Sequence, residues 1–294
     1  MSGHPGTLAL RKKGWWLANR WLVLRRLSQF LLLLIFLSGP WFGIWIAKGT
    51  LASSLTLGVL PLTDPMFALQ ALLARHKLEA NVLLGSGIVL AVYALIGGRM
   101  YCSWVCPINL VTDAAAWLRA RLNLPEGAAF NRSTRLWILG AVLVVSATTG
   151  TVAWEFVNPV TLVHRSIVFG SLLSSGLVWS VIVAIFLFDL AVSARGWCGR
   201  LCPVGAFYGL LGAKSLLRVA APLRASCDDC LDCFKACPEP QVIAPALKGA
   251  SRGAGPLILS RDCTNCGRCV DVCHLGIFCF ASRASSFQER EVSP

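Results

Sequence analysis

The sequence predicts a membrane all-α protein: four transmembrane helices in a parallel tandem repeat, followed by a small α+β domain organised around cysteine. Three observations predict it. Four long stretches are apolar and almost free of charge, the basic residues crowd into alternate loops, and eight of the 13 cysteines fall into two evenly spaced runs near the C-terminal end.

Composition sets the frame. Of 294 residues, 56% are hydrophobic and 14% charged, against roughly 25% charged in ordinary soluble domains. That excludes a disordered chain and argues against a soluble enzyme. A net charge of +13 raises the question of nucleic acid, but a positive-inside bias of the loops explains it without a nucleic-acid partner.

The expected spans are residues 27–47, 81–98, 136–154 and 176–194, each long enough for a hydrocarbon core of roughly 30 Å. Asp189 is the one ionisable residue inside them. Gly39-Pro40 predicts a kink in the first span. Twenty-three of 27 Lys and Arg residues fall before span one, between spans two and three, or after span four. Both termini are therefore expected in the cytoplasm, with residues 1–26 a basic cytoplasmic segment.

Residues 27–221 read as two copies of one unit: a span, an outer loop, a second span and a C-x3-C-P motif. Asp64-Pro65 and Asn158-Pro159 each predict a helix start, a capping side chain followed by a proline at the first helical position. Both short helices are expected on the outer membrane surface. Cys102, Cys106 and Pro107 close the first unit; Cys198, Cys202 and Pro203 close the second. Cysteines four apart share a helical face that the proline would terminate. The four thiols suit a site for iron, an iron–sulfur centre or zinc, a redox-active dithiol, or plain packing.

From residue 222 to 282 the chain turns polar and carries Cys227-x2-Cys230-x2-Cys233-x3-Cys237 and Cys263-x2-Cys266-x2-Cys269-x3-Cys273. This is the bacterial ferredoxin run, twice: three thiolates wrap one iron–sulfur cube and the fourth reaches to the other. The expected ligands are Cys227, Cys230, Cys233 and Cys273 for one [4Fe–4S] cluster. Cys263, Cys266, Cys269 and Cys237 are expected to hold the second. Zinc would ask for two cysteine pairs parted by a loop. His274 stands where the second run would usually have proline, Cys279 reads as a small hydrophobe, and residues 283–294 are a tail.

With these motifs in place the chain resembles the NapH-type membrane ferredoxins of periplasmic nitrate reductase systems. The likeness runs through Lys13-Gly-Trp-Trp16, Pro61-Leu-Thr-Asp-Pro65, Cys102-Ser-Trp-Val-Cys106-Pro107, Cys237-Pro-Glu-Pro240 and Cys266-Gly-Arg-Cys-Val-Asp-Val-Cys-His274. The resemblance implies a quinol dehydrogenase subunit in the bacterial inner membrane. It implies electrons drawn from ubiquinol or menaquinol and passed to a periplasmic ferredoxin-type subunit, a multihaem cytochrome and the nitrate reductase. An assembly or maintenance factor for a metalloenzyme, a ferredoxin of another respiratory pathway and a zinc-stabilised scaffold are the competing readings.

For proton handling at a quinol site the candidates are Asp189, Glu155 and His164. Asp189 also suits an ion pair with Arg195 or Arg99, and the other two read as solvated loop residues. His76 reads as a surface residue and His4 as part of a mobile tail. Trp15, Trp16, Trp21, Trp41, Trp45 and Trp154 read as interfacial belts. C-x-x-C-H is absent, so any haem belongs to another protein, and no nucleotide-binding fingerprint is present.

Overall fold

The computed structural model describes residues 5–125, 127–128, 130–168 and 176–285. His4 and the tail beyond residue 285 lie outside the described residues. The chain divides into two compact units assembled from separate stretches. One holds Met1–Ser28, Tyr93–Trp104 and Gly209–Pro294, the other Gln29–Val92 and Val105–Tyr208.

Helix α1 (Thr7–Phe42) is, among the described residues, the one helix long and apolar enough to cross a membrane. Its break is not at Gly39-Pro40 but at Gly14, which takes φ 80 and ψ 166. Pro40 falls in the last turn, where the helix ends anyway, so its missing N–H disturbs little. Ala47, expected to close the span, is instead in a strand. An antiparallel sheet of β1 (Ala47–Gly49), β2 (Ser53–Thr56) and β3 (Leu60–Thr63) follows. The all-α reading missed it because these strands are only three or four residues long.

The second unit continues with α2 (Pro65–Leu73) and enters α3 (Ala80–Ile96). The Asp64 carboxylate accepts the Met66 N–H at 2.9 Å, as the Asp-Pro pair predicts. After α4 (Met100–Trp104), which belongs to the other unit, come α5 (Ile108–Arg121), α6 (Thr134–Thr149), α7 (Pro159–Val168), α8 (Gly176–Leu187) and α9 (Pro203–Leu211). Asn158 caps α7 by accepting the Val160 N–H at 3.1 Å. Helix α8 runs on as a π-helical turn, Phe188–Val192. Helices α3, α6 and this extended α8 are apolar but 17 residues or shorter.

Helices α2 and α7 each bury one face against the rest of the unit, while Leu72 and Leu73 of α2 stay exposed. Gln70 of α2 is buried, and its carbonyl oxygen accepts from the Ser146 hydroxyl at 3.2 Å and the Trp154 N–H at 3.0 Å. Tyr208 of α9 donates to Asp64 at 3.2 Å. Val160 of α7 packs with Ile108 and Ile185, and Cys106 and Trp197 border that cluster. Both Pro-initiated helices thus point their first turns at residues flanking the C-x3-C-P motifs. A backbone that turns back in this way is tolerated in a membrane protein when protein surrounds it.

In the first unit, β4 (Leu217–Ala220) pairs antiparallel with β5 (Cys279–Ser282). Between them lie α10 (Asp232–Ala236), α11 (Ile243–Lys248) and α12 (Arg268–Val272) around a core of Val219, Ile243, Ile258, Val272 and Phe278. Strand β4 begins before residue 222, so the α+β domain starts earlier than the composition change suggests. The N-terminal segment is also built into this unit. Asp232 accepts the Gly6 N–H at 3.0 Å, and the fully buried Asp271 accepts the N–H groups of Trp21 and Leu22 at 3.2 and 3.1 Å.

Candidate functional site

The two cysteine runs fold alike. Each middle cysteine sits between two left-handed residues: Asp229 (φ 56) and Leu231 (φ 60) flank Cys230, while Asn265 (φ 48) and Gly267 (φ 72) flank Cys266. Such alternation gathers successive backbone N–H groups into a concavity suited to an anionic group. A short helix follows, α10 or α12, and the fourth cysteine leaves it in an extended conformation, Cys237 at ψ 132 and Cys273 at ψ 108.

Two clefts result. One is lined by Cys227, Cys230, Cys233 and Cys273. The other is lined by Cys237, Cys263, Cys266 and Cys269. The fourth cysteine of each run faces the other run's cleft. Four thiols around a zinc ion would crowd their sulfurs to within about 4 Å of one another. Among the described residues, the group of three or more donors found within 4.8 Å is Asp228, Cys230 and His274, with a single thiol in it. The donor set therefore fits a larger, multi-iron group better than single ions. Burial pushes the Cys233 thiol up to about 12 and the Cys263 thiol up to about 11, with neighbouring thiols adding to the effect. Loading iron there releases protons.

The cysteines of the two C-x3-C-P motifs are divided. Cys102 lies on α4 in the first unit, and Cys106, Cys198 and Cys202 lie in the second. Cys198 is on a π-helical turn, Trp197–Leu201, with its thiol 3.9 Å from the Thr112 hydroxyl. The helices carrying these pairs end before the prolines: α4 stops at Trp104, and the turn carrying Cys198 stops at Leu201 with Cys202 extended. Pro107 then directly precedes α5 and Pro203 opens α9.

Asp189 is buried in the π-helical turn after α8. One carboxylate oxygen accepts the Trp197 N–H at 2.8 Å, and the other is buried without a hydrogen-bond partner. Of the two expected partners, Arg195 places a favourable charge near the carboxylate, and Arg99 pairs with Glu239 at 2.8 Å. Glu155 is half-buried beside Asn158, and burial holds its carboxyl above the usual range. His164 is not solvated: it is 1% exposed, its ring stands edge-on to Phe36 at 4.5 Å, and neither nitrogen has a hydrogen-bond partner. Burial lowers its imidazole to about 4. Placement on a short apolar helix was the available signal, and an outer-loop assignment hid it.

Trp15, Trp16, Trp41 and Trp45 are exposed, as a belt requires, but Trp154 is buried and Trp21 packs in the first unit. Trp21 meets Trp104 and Phe280 edge-on at 6.2 and 4.6 Å. His274 is buried, with Nε2 3.1 Å from Asp228.

Comparison with known proteins agrees with this geometry. A family described as a 4Fe-4S dicluster domain matches residues 226–277, and one described as a 4Fe-4S binding domain matches 78–125 and 175–221. The chain is 51% identical to the ferredoxin-type protein NapH of Escherichia coli K12, covering 96% of each chain. It is 50% identical to the methylamine utilization ferredoxin-type protein MauN of Paracoccus denitrificans, covering 94% of this chain and 95% of that one. The chain belongs to the NapH and MauN family of ferredoxin-type proteins. Like them it is an iron–sulfur electron-transfer protein. The second family match takes in both C-x3-C-P pairs, which the sequence left open. No solved structure matches the chain.

Proposed function

We propose that the chain is a quinol-oxidising subunit of a multi-protein electron-transfer system, anchored in the bacterial inner membrane by four spans with both termini cytoplasmic. The carrying observation is the pair of clefts, each lined by four cysteines with the fourth contributed by the other run. Cys227, Cys230, Cys233 and Cys273 would hold one [4Fe–4S] cluster, and Cys237, Cys263, Cys266 and Cys269 the other; such clusters supply one-electron transfer. The four-span reading is supported by α1, α3, α6 and α8, whose large apolar side chains stand largely exposed, as lipid-facing residues do. Residues 27–221 are then the membrane domain.

The direct test is iron, acid-labile sulfide and zinc per polypeptide after purification without oxygen. The proposal expects about eight iron and eight sulfide and no zinc. Iron in clear excess would add a centre at Cys102, Cys106, Cys198 and Cys202. Zinc in place of iron would end the electron-transfer reading.

A quinol releases protons as it is oxidised, so its site needs an acceptor. Asp189 is suited by its buried, unpartnered oxygen, and it sits on a π-helical turn, a feature frequent at functional sites. Asp189→Asn retains an oxygen for the Trp197 N–H but removes the base. Quinol-driven cluster reduction is expected to fall by about 10²-fold while dithionite reduction is untouched. Equal quinol rates would remove Asp189 from the proposal.

Periplasmic nitrate reduction is the pathway the NapH resemblance favours, with a periplasmic ferredoxin-type subunit and a multihaem cytochrome as partners. NapH and MauN relatives match at nearly the same identity. Growth on nitrate or on methylamine after deletion of the gene separates the two pathways.

A further inference from the structure

The two cysteine clefts share a backbone pattern but not their surroundings. Around the first, Asp228, Asp229 and Leu231 are exposed. The matching residues of the second run, Thr264, Asn265 and Gly267, are all buried.

The cover of the second run comes from two places. Helix α4 is clamped along its loop: Arg99, just before α4, donates to the Asp262 carbonyl at 2.8 Å, Ser103 to that of Thr264 at 2.8 Å, and the Trp104 indole to that of Asn265 at 3.1 Å. Three loop carbonyls, those of Asp262, Thr264 and Asn265, are therefore held by the segment that carries Cys102. From α1, Trp21 lies over Gly267, so close that a Cβ there would fall 2.5 Å from the indole ring. Among the described residues α4 holds no carbonyl of the first run, whose Asp229 is held by the exposed Lys248 at 2.9 Å and whose Asp232 accepts the Gly6 N–H at 3.0 Å.

We propose that the two centres have fixed and different stations. The Cys237, Cys263, Cys266 and Cys269 site is the inward one, exchanging electrons with the membrane motif through the α4 segment. The Cys227, Cys230, Cys233 and Cys273 site is the port to water, exchanging electrons with a soluble one-electron carrier protein. Clusters held there would supply one-electron transfer, one centre being oxidised as its neighbour is reduced, with no bond made or broken. Arg99, Ser103, Trp104 and Trp21 are positioning residues for the inward site. This inference rests on the reading that both clefts hold clusters.

The test uses the whole protein, reduced with dithionite so that no quinol step is involved. Cys230→Ser and Cys266→Ser each remove one ligand and mark which electron paramagnetic resonance signal belongs to which site. A water-soluble dysprosium chelate is then added. The port signal is expected to relax several-fold faster, and the inward signal to change little. Equal or reversed sensitivity would overturn the assignment of stations. Ser103→Ala combined with Trp104→Phe removes two clamps, and a redox titration should then show a displaced midpoint for the inward signal alone. A shift confined to the port signal, or none at all, counts against the α4 route. Absence of two cluster signals in the wild type would instead sink the two-cluster reading itself, so the two failures are told apart.

Discussion

Arg99→Ala is expected to cost the ferredoxin-type unit about 3–5 kcal/mol, the largest loss from any single charged residue in it. Arg99 and Glu239 form an ion pair at 2.8 Å, with side chains only 2% and 4% exposed. Taking away the guanidinium leaves a carboxylate without its cation in a dry site, with the Gln241 amide on one oxygen at 2.8 Å. The Asp262 carbonyl, next to Cys263, loses its donor as well. The measurement is the temperature at which visible cluster absorbance bleaches. Replacing both partners by methionine should cost clearly less than Arg99→Ala, since no charge is then stranded. If Arg99→Ala bleaches with the wild type, the pair is not buried as described.

Gly267→Ala is the second large effect. The position has φ 72, a conformation that costs an L-residue about 1–2 kcal/mol, and the added methyl would strike the Trp21 ring. Overpacking adds about 1–3 kcal/mol, and the only relief is to move Trp21 or the loop that carries Cys266 and Cys269. Clusters should be lost from the second site, seen as a drop in iron per polypeptide. Gly255→Ala is the control, because nothing stands within 4 Å of its Cβ position. Equal iron in both variants would show that Trp21 yields freely.

What could be read from the residues is what local chemistry dictates. The x2-x2-x3 cysteine spacing forces each run into one short loop and helix, and Asp64-Pro65 and Asn158-Pro159 start helices because the cap and the proline act within three residues. What could not be read depends on distant partners. Nothing near Trp21 marks it as more than a belt residue; its place comes from Gly267 and Phe280. The inward packing of α2 and α7 was hidden because an apolar helix on a lipid surface and one enclosed by protein have the same composition. His164 and Asp189 were visible as candidates, but their unpartnered atoms are a property of the packed fold.

The capture of the N-terminal segment by Asp232 and Asp271 has a consequence for biogenesis. The hydrogen bonds from Gly6 and Trp21 span 226 and 250 residues of chain. Contacts of such separation form late, and here each must wait until residue 232 or 271 has been synthesised. The apolar helices between are complete while the two ends of the ferredoxin-type unit still wait for each other. A chain that stops before residue 271 lacks the carboxylate that accepts the Trp21 and Leu22 N–H groups, so its first helix has no seat in the ferredoxin-type unit.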